Sequence, residues 1–555
     1  MKKYSSKGLV LLLALIMVVS LAACKKEDKN ANKETATTEQ NQSNTGSGEE
    51  SKGDSTEAKK TLADYPKVSG FNYFGIASGL ETEELNNCGS AQLVKEYTGY
   101  DVVYDQAPAD ANAAETAITN IFMLKSDYQA VKVSKNQFYT LLQMGALKDI
   151  TEYVEASTNL KEQISEFGWE TATMDGAIYG IPTKNARKVN NTAIAFRLDW
   201  LNEYNETHPD AQIPVPSEEN GYSMSLSDFK TMLTYFATKV PKGGKAMAVD
   251  MGGVYLENIL PAFGIYQEWA DVDGKLEYVI NQPGFQEYMD YMEDLFDSGL
   301  IMYQATSNDA GAVKSLQAKT VGAGRVAHWN AVTIESSDTQ EVDPNISYIV
   351  SLVPDDRKGD PTAVRTFATE GYSYYTVIPN YATDEQAAAV IDWIDKKLDK
   401  DFFLKLTLGT EGETFTIENG GYYPILPTFD EKQGVADKFM DGTREEEYAE
   451  YWLCRTRKTK AQDKMFSIAN YNIDQTAVLN PTSVMPPNAD FDTYYTNANI
   501  QIKDLLVTSM FQTGVTKSLD EIKAEWKNLN GDVITDAVNA WYSTWEGKDT
   551  FNTVK

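Results

Sequence analysis

Residues that could carry out catalysis are scarce in this chain. Its 555 residues contain only two histidines, His208 and His328, and neither has the close spacing of a zinc-binding motif. No P-loop, dinucleotide-binding glycine motif or G-x-S-x-G elbow stands in a strand–helix context. The 81 acidic residues could always supply a pair of carboxylates for a glycosidase or a lyase, so such a pair has no specificity. The pattern gives no positive sign of an enzyme, and no cofactor is expected.

A metal site is not expected either. Asp271 and Asp273 resemble the start of a calcium-binding loop, but no carboxylates follow at the remaining ligand positions. The segment around Asp273 and Gly274 is therefore interpreted as an ordinary turn. Cys88 and Cys454 are far apart in the sequence and need no relationship, so both are expected to be unpaired thiols, although an exported chain permits a disulfide.

Aromatic and hydrogen-bonding side chains recur at the predicted ends of strands and at the points where the chain crosses between sheets. Open parallel sheets bind ligands beyond the carboxyl ends of their strands, so these positions are the candidates for binding. Each residue also has an ordinary alternative in the core or on the surface, which is favoured for Trp269 and Asp127. The strongest candidate is Trp329. The candidates are Tyr73, Phe74, Asp127, Lys184, Asn185, Arg187, Trp269, Trp329, Asn330, Glu370 and Tyr372.

The elements that must position these residues alternate between strands and helices. Strands are predicted at 71–76 and 102–104, with helices at 91–97 and 110–124, which gives the β-α-β order of a mostly parallel sheet. A strand at 177–181 should end at Pro182, because proline has no N–H group for a ladder hydrogen bond. A polar crossing at 183–188, a strand at 192–196 and a helix from Arg197 follow. One sheet is therefore expected to end at Pro182, and another to begin with the strand at 192–196.

The later part of the chain adds a second α/β unit. Its clearest helix spans 285–296, where Phe285, Tyr288, Met289, Met292, Leu295 and Phe296 share one face. A strand at 369–378 is predicted to return to the first unit, and Thr383 with Gln386 forms a capping box for the helix behind it. A chain of this length exceeds the size of a single hydrophobic core. Two lobes joined by crossing strands are expected.

Several segments resemble the extracellular solute-binding lipoproteins of bacterial ABC importers, in particular the large carbohydrate-type (family 1-like) proteins of Gram-positive bacteria. The segment DG-x-x-YG-I-P…RxDWL in 175–201 resembles the hinge of that family, and 322–330 resembles its "GkaAm…W" strand. Segments 262–275 and 408–421 are also similar to family patterns. The match around Asp127 is partial, because Tyr128 replaces the usual apolar residue. The resemblance covers most of the chain, and its motifs do not specify a ligand.

The resemblance implies an α/β, two-lobe periplasmic-binding-protein-like fold (type II), with lobes formed from discontinuous segments and joined by a hinge. It implies a binding subunit that captures a carbohydrate, expected to be an oligosaccharide, in the cleft and delivers it to the transmembrane subunits of an ABC permease. A sugar suits the candidate residues, because its C–H faces stack on aromatic rings and its hydroxyls need donors and acceptors. The expected boundaries are 1–23 signal peptide, 24–61 lipidated flexible tether, 62–187 plus 368–425 lobe 1, and 188–367 plus 426–555 lobe 2.

The N-terminal segment is predicted to target the protein to the cell surface. Lys2, Lys3 and Lys7 precede an apolar run that is too short for a permanent membrane span, and Leu21-Ala22-Ala23-Cys24 resembles a lipobox. Cys24 is therefore expected to carry the lipid that anchors the protein on the extracellular face of the cell membrane. Residues 25–61 are polar and should form a tether. The mature protein is expected to be a monomer.

Charge restricts the remaining partners. The chain has a net charge of −31, so it offers no basic excess to neutralise phosphates, and nucleic acid is not expected as a partner. Two alternatives to a sugar-binding subunit stay open. One is an exported polysaccharide-degrading enzyme on the same anchor, and the other is a binding subunit for a peptide or another non-sugar solute. The sequence does not name the ligand, because specificity depends on the geometry of the cleft.

Overall fold

The computed structural model of the protein describes residues 60–249, 257–303, 309–333, 341–418, 420–512 and 517–551. Within these ranges the side chains of 111–112, 184–187, 309–310, 370 and 549–550 are not described. The described residues belong to one compact unit, Lys59–Lys555. The predicted signal peptide, lipidation site and nearly all of the tether lie outside the described residues.

The strands alternate with helices along much of the chain, as the sequence predicts. They are β1 (Gly70–Gly75), β2 (Asp101–Gln106), β3 (Ala130–Ser134), β4 (Thr173–Met174), β5 (Ala177–Ile178), β6 (Gly180–Val189), β7 (Thr192–Arg197), β8 (Ser223–Ser225), β9 (Met247–Val249), β10 (Trp269–Val272), β11 (Lys275–Tyr278), β12 (Ile301–Tyr303), β13 (Ala323–Ala327), β14 (Ile346–Ile349), β15 (Ser351–Val353), β16 (Thr366–Val377), β17 (Phe415–Glu418), β18 (Gly421–Pro424) and β19 (Ala477–Leu479).

The helices include several short ones and a long one near the C-terminus. They are α1 (Thr82–Asn87), α2 (Gly89–Thr98), α3 (Ala111–Leu124), α4 (Lys135–Gln143), α5 (Thr151–Glu155), α6 (Asn159–Gln163), α7 (Glu166–Glu170), α8 (Leu198–Thr207), α9 (Leu226–Ala237), α10 (Phe285–Asp297), α11 (Asp309–Gln317), α12 (Asp384–Lys397), α13 (Lys400–Thr407), α14 (Thr428–Gln433), α15 (Glu445–Thr456), α16 (Lys460–Ala469), α17 (Ile473–Thr476), α18 (Ala489–Phe511), α19 (Leu519–Asn528), α20 (Gly531–Thr544) and α21 (Lys548–Phe551).

The sheet of lobe 1 is built around β1. This strand pairs in parallel with β2, where Gly70 lies opposite Asp101, and with β3, where Tyr73 lies opposite Ala130. The later strand β16 runs antiparallel to β3 and pairs Tyr374 with Ser134. Because the three parallel strands point in the same direction, their carboxyl ends lie at one edge of the sheet.

The sheet of lobe 2 repeats this plan with different segments. Its order is β12-β9-β13-β7-β14, with β9 parallel to β12 and β13. Strand β7 is antiparallel to both β13 and β14. Thus each lobe has a set of parallel strands and at least one antiparallel strand, which confirms the predicted two-lobe α/β architecture.

Two long antiparallel strands, β6 and β16, connect the lobes. The prediction that the first crossing leaves the sheet at Pro182 is wrong, because β6 continues through Pro182 to Val189 and pairs Pro182 with Tyr375. Proline is tolerated because β6 pairs with β16 alone, so its missing N–H group lies on an open edge. The pairing shifts register between Thr369 and Tyr374, and Gly371 has φ of 139°, a conformation that favours glycine. The hinge is therefore a ribbon of two strands.

The C-terminal lobe boundary differs from the expected position at 425. Phe429, Phe439, Tyr448 and Tyr451 belong to the hydrophobic core of lobe 1, together with Trp393. The residues that follow, including those of α16 and α18, pack in the two cores of lobe 2. The chain therefore makes its last crossing between α15 and α16, because the apolar faces of α14 and α15 are buried against lobe 1.

The local signals in the sequence agree well with the observed helix ends. Thr383 forms the predicted capping box with Gln386, and Ser518 forms a second capping box with Glu521. The predicted apolar face of α10 is buried at Phe285, Tyr288, Met289, Met292 and Leu295. Cys88 and Cys454 are both free, as expected.

Asp271 shapes a turn in the hairpin of β10 and β11. Its carboxylate accepts hydrogen bonds from the Gly274 N–H at 2.7 Å and from the Tyr542 hydroxyl at 2.8 Å. Across the described ranges, no group of three or more potential metal-ligating side chains is found. The helices among the described residues include none that is both long and apolar enough to span a membrane.

Candidate functional site

A cavity with a volume of about 760 Å³ lies between the lobes, at the carboxyl ends of β1, β2 and β3. Lobe 1 contributes Ile76 after β1, Ala107 after β2 and Ser134 at the end of β3. Lobe 2 contributes Glu268 beside β10 and the segment from Asn480 to Thr496. This is the position at which open parallel sheets bind ligands, and the volume is in the usual range for small-molecule sites.

The lobe 2 wall of this cavity carries a pair of stacked aromatic rings. Phe491 and Tyr495 lie in the first turns of α18, four residues apart, so their side chains share one face of the helix. The ring centroids are 4.5 Å apart, with an angle of 18° between the ring planes. Tyr139 and Tyr374 line the same cavity from lobe 1. Such flat apolar surfaces with polar edges can stack against a ring-shaped ligand.

Lys135 of lobe 1 and Asp492 of lobe 2 both line the cavity and interact electrostatically across the lobe boundary. Lys135 begins α4 in lobe 1, and its Nζ donates to the carbonyl of Ser483 in lobe 2 at 2.8 Å. Burial raises the pKa of Asp492 to about 7, against the opposing hydrogen bond from the Asn488 N–H and the charge of Lys135. Burial likewise lowers the pKa of Lys135 to about 8. The site therefore has ionisable groups of opposite sign on facing walls.

A buried ionic network lies beneath the lobe 1 wall. Asp441 accepts hydrogen bonds from Tyr73 at 2.8 Å, from Thr376 at 2.6 Å and from Lys397 at 2.5 Å. Lys132, which also lines the cavity, donates to the Met440 carbonyl. Burial alone would raise the pKa of Asp441, but Lys397 and Lys132 lower it below its ordinary value. This network ties β1, β3, β16 and α12 together.

Three of the predicted site residues are buried away from the cavity. Tyr73 is 1% exposed and donates its hydroxyl to Asp441, so its burial argues against contact with a ligand. Trp269 is fully buried among Tyr278, Tyr495 and Trp526, in the core of lobe 2. Tyr372 is also buried, and its hydroxyl contacts Ser165 and Glu445. Their aromatic rings pack in the cores because strand and hairpin residues point inward at these positions.

Two further candidates support the lobe 1 sheet. Phe74 is buried in a second core cluster of lobe 1, and its ring contacts that of Tyr128 at 5.3 Å. Asp127 is exposed, but its carboxylate accepts hydrogen bonds from Asn72 and Gln129 in the loop before β3. Neither residue lines the cavity. The contacts of Phe74 and Asp127 therefore stabilise the lobe 1 sheet and the loop before β3.

Trp329 and Asn330 follow the carboxyl end of β13 in lobe 2, in a single turn of 3₁₀ helix. Trp329 is 52% exposed, and its main-chain carbonyl accepts a hydrogen bond from Gln462 at 3.1 Å. Its ring contacts the buried ring of His328 at 4.9 Å. The two residues do not line the cavity between β1–β3 and α18. They belong to the corresponding strand end of the other lobe.

The remaining candidates lie on the hinge strands. Lys184, Asn185 and Arg187 are in β6, and Glu370 is in β16, where the main chain pairs Tyr372 with Lys184. The side chains of these four residues lie outside the described part of the structure. Their backbone positions place them at the crossing between the lobes.

The residues that do line the cavity were not predicted from the sequence. Lys135, Glu268, Phe491, Asp492 and Tyr495 come from three separate parts of the chain. Ser134 and Lys135 follow β3 directly, so the rule for strand ends could have found them. No local pattern connects 268 with 491–496, because the contact between these segments depends on the packing of α18.

Comparisons with known proteins agree with this architecture. No family model matches the chain. It is 23% identical over 486 residues to Lipoprotein LipO of Bacillus subtilis (strain 168), which covers 82% of this chain and 89% of that protein. Among solved structures, the S. pneumoniae ABC-transporter substrate binding protein FusA in complex with kestose is 14% identical, with a TM-score of 0.62, covering 86% of this chain and 100% of FusA. The chain has the fold of ABC-transporter substrate-binding proteins.

A second neighbour of this fold is the alginate-binding protein AlgQ2. It is 14% identical, with a TM-score of 0.60, and the match covers 87% of this chain and 99% of AlgQ2. The substrate-binding-protein fold accounts for the two lobes, the crossing strands and the cavity at the strand ends. At this level of identity the comparison establishes the architecture of the chain.

Proposed function

We propose that this protein is the substrate-binding lipoprotein of an ABC importer and that it captures a carbohydrate between its lobes. The observation that carries the proposal is the cavity of about 760 Å³ at the carboxyl ends of β1–β3, faced by the stacked pair Phe491 and Tyr495. A bound oligosaccharide would stack on this pair and exchange hydrogen bonds with polar side chains of both lobes. It would then be delivered to the transmembrane subunits of a permease.

The hinge supports the same function. Two crossing strands with shifted register at Thr369–Tyr374 give a connection that can bend, and both lobes contribute to the wall of the cavity. Because each lobe supplies only part of the contacts, a ligand that touches both lobes favours the closed arrangement. The ligand-facing residues proposed here are Tyr139, Tyr374, Phe491 and Tyr495, and Trp329 with Asn330 extends the surface on lobe 2.

The protein is proposed to bind without catalysis. Asp492 has a raised pKa, but it faces Lys135 and lies in a helix turn where the Asn488 N–H donates to it at 2.9 Å. Burial is the main cause of the raised pKa, and a buried carboxylate at a lobe boundary is expected to show it without any catalytic role. The rival is an exported polysaccharide-degrading enzyme, and turnover of an oligosaccharide by the purified protein would support it. A peptide-binding subunit of the same fold would bind peptides and no sugars.

The first prediction concerns Tyr495. Tyr495→Ala should weaken binding of the cognate oligosaccharide by about 2 kcal/mol, because it removes half of the stacked pair and leaves the strand ends intact. The ligand is first found by a thermal-shift screen over oligosaccharides and peptides, since a ligand at a hundred times its Kd adds about 2.7 kcal/mol to stability. Calorimetric titration of both proteins with that ligand then measures the change in affinity.

Tyr97→Ala is the matched control. Tyr97 is 47% exposed and stacks on Phe402 in lobe 1, with ring centroids 4.0 Å apart, away from the cavity. This variant should keep full affinity. Equal affinity for the Tyr495→Ala and Tyr97→Ala proteins would place the ligand elsewhere. A screen in which only peptides stabilise the protein would overturn the carbohydrate proposal.

The anchor gives a second prediction. We propose that Cys24 is lipidated and holds the protein on the extracellular face of the membrane, because Leu21-Ala22-Ala23-Cys24 follows an apolar export segment. Cys24→Ser should abolish lipidation and release the protein into the medium, which fractionation of cells measures. Cys88→Ser is a suitable control, because Cys88 is a free thiol of the folded unit. Retention of the Cys24→Ser protein on the membrane would contradict the anchor.

A further inference from the structure

An excess of positive charge lies under the lobe 1 wall of the cavity. Four cations, Lys132, Lys397, Lys438 and Arg455, surround two carboxylates, Asp437 and Asp441; we refer to these six residues as the basic floor. Lys397 pairs with Asp441 at 2.5 Å, while Asp437 lies 3.1 Å from Lys438 and 3.8 Å from Arg455. The basic floor therefore carries two more positive charges than negative ones, in a chain whose net charge is −31.

Burying such a cluster of cations lowers the stability of the folded protein unless opposite charges compensate it. Lys132 and Lys397 are each 2% exposed, and burying an ammonium group costs several kcal/mol per ion when no opposite charge compensates it. Burial lowers the pKa of Lys132, although Asp441 and Asp437 oppose that effect. Asp441 acts electrostatically on both buried lysines, and Asp437 also acts on Lys132. By formal charge, the two carboxylates of the basic floor therefore balance only two of its four cations.

Two members of the basic floor line the cavity. Lys132 is at the centre of β3, and an ammonium group has three N–H donors, of which one points to the Met440 carbonyl. Lys438 also lines the cavity, and its side chain is 22% exposed. The side chains of Lys132 and Lys438 therefore place positive charge at the wall of the cavity.

Each acidic residue of the cavity either has a cation in its surroundings or is exposed to solvent. Asp492 faces Lys135, and Glu268 lies 3.8 Å from Lys503 of α18. Glu115 lies on the exposed surface of α3, at the rim. The lobe 2 wall and the rim thus carry carboxylates with nearby cations or water, whereas the basic floor has cations without enough carboxylates. This electrostatic difference between the two walls would orient a charged ligand.

We infer that the ligand of the cavity is an acidic carbohydrate, such as a uronic-acid oligosaccharide, whose carboxylate lies over Lys132 and Lys438. The inference rests on the proposed function and specifies its substrate class. A carboxylate would accept charge-assisted hydrogen bonds from these ammonium groups, and its charge would balance the basic floor. Its sugar rings would stack on Phe491 and Tyr495 across the cavity.

The test compares acidic trisaccharides with their neutral, carboxyl-reduced forms. The purified protein is titrated with two acidic probes, an alginate trisaccharide and an oligogalacturonate trisaccharide. It is also titrated with each of these compounds after its carboxyl groups have been reduced to alcohols. Kestose serves as an additional neutral trisaccharide. The acidic probes should bind, and their reduced forms should bind at least about tenfold more weakly. High salt should reduce the affinity for the acidic probes and leave any neutral binding unchanged.

Lys438→Gln is the decisive variant, because Lys438 is partly exposed and its loss should not prevent folding. It should lower the affinity for the acidic probe about tenfold or more and leave the affinity for neutral probes unchanged. Lys95→Gln is the control, since Lys95 is an exposed lysine of lobe 1 that pairs with Asp101 outside the cavity. It should change neither affinity.

The outcomes separate this inference from the proposed function. Binding of neutral sugars with no preference for acidic ones would overturn the inference and keep the carbohydrate proposal. Binding of an acidic peptide that depends on Lys438, without binding of any sugar, would keep the electrostatic argument and overturn the carbohydrate proposal. If no carbohydrate of either kind binds and Lys438→Gln changes nothing for any ligand found, both fail.

Discussion

Asp441→Asn should reduce the free energy of unfolding by about 3–5 kcal/mol, the range observed when one partner of a buried ion pair is removed. The asparagine side chain keeps the shape of the residue and can still accept hydrogen bonds from Tyr73 and Thr376. It removes the charge that compensates Lys132 and Lys397, both of which are buried. Unfolding by urea, followed by circular dichroism, measures the loss.

Two further variants separate the ionic effect from a general disturbance. Asp441→Asn combined with Lys397→Met should be less destabilised than Asp441→Asn alone, because the double variant leaves fewer uncompensated charges. Asp463→Asn is a matched surface change, since Asp463 lies 4.0 Å from Arg457 and is 43% exposed, and it should cost less than about 1 kcal/mol. A loss below about 1 kcal/mol for Asp441→Asn would contradict the importance of the network.

The same network predicts a direction for acid sensitivity. The folded pKa of Asp441 lies below its ordinary value. The unfolded state therefore binds a proton first as the pH falls, and the stabilisation from this carboxylate is present above about pH 4. It is lost as the pH falls through the lower, folded pKa. The Asp441→Asn protein should therefore lose less stability than the native protein on acidification.

Much of the fold could be predicted because its signals are local. The capping boxes at Thr383 and Ser518 and the apolar face of α10 each depend on residues within a few turns of one helix. The course of β6 could not be predicted in the same way. Pro182 normally ends a strand, but here β6 has only one neighbouring strand, and that fact depends on the arrangement of the whole sheet.

The lobe boundary near the C-terminus illustrates the same limit. Tyr448, Tyr451 and Cys454 are buried at three-residue intervals along α15, but such a spacing does not show against which lobe they pack. In the structure the two tyrosine rings join the core around Trp393, and the chain crosses to lobe 2 only after α15. A pattern of periodicity specifies a buried face, whereas the partner of that face is set by contacts between distant segments.

The rule that open sheets bind ligands beyond the carboxyl ends of their parallel strands predicts the place of the cavity but not all of the residues that line it. The cavity lies at the carboxyl ends of β1–β3, as the rule for open sheets predicts. Tyr73 and Phe74 are inside β1 instead of after it, so their side chains point into the two cores that flank the sheet. The aromatic residues that line the cavity, Phe491 and Tyr495, are on a helix that joins the site only through tertiary packing.

Trp269→Ala should cost about 3–5 kcal/mol of unfolding free energy, because it opens a large cavity in the core of lobe 2. Trp269 is fully buried, and its ring lies 5.4 Å from that of Tyr278 and 6.5 Å from that of Trp526. Thermal and urea unfolding measure this loss. A loss below about 1 kcal/mol, accompanied by a large fall in ligand affinity, would return Trp269 to the ligand-binding candidates.

Trp329→Ala is the matched comparison for Trp269→Ala, because it truncates the same residue type at an exposed position. Trp329 is 52% exposed, so its truncation removes little buried area and should change stability by less than about 1 kcal/mol. If its indole faces the ligand, affinity should fall by about 2 kcal/mol, which calorimetric titration measures. Unchanged affinity would exclude Trp329 from the site. The same residue type should thus show opposite effects at two positions, because a side chain can contribute to binding only where the folded protein leaves it accessible.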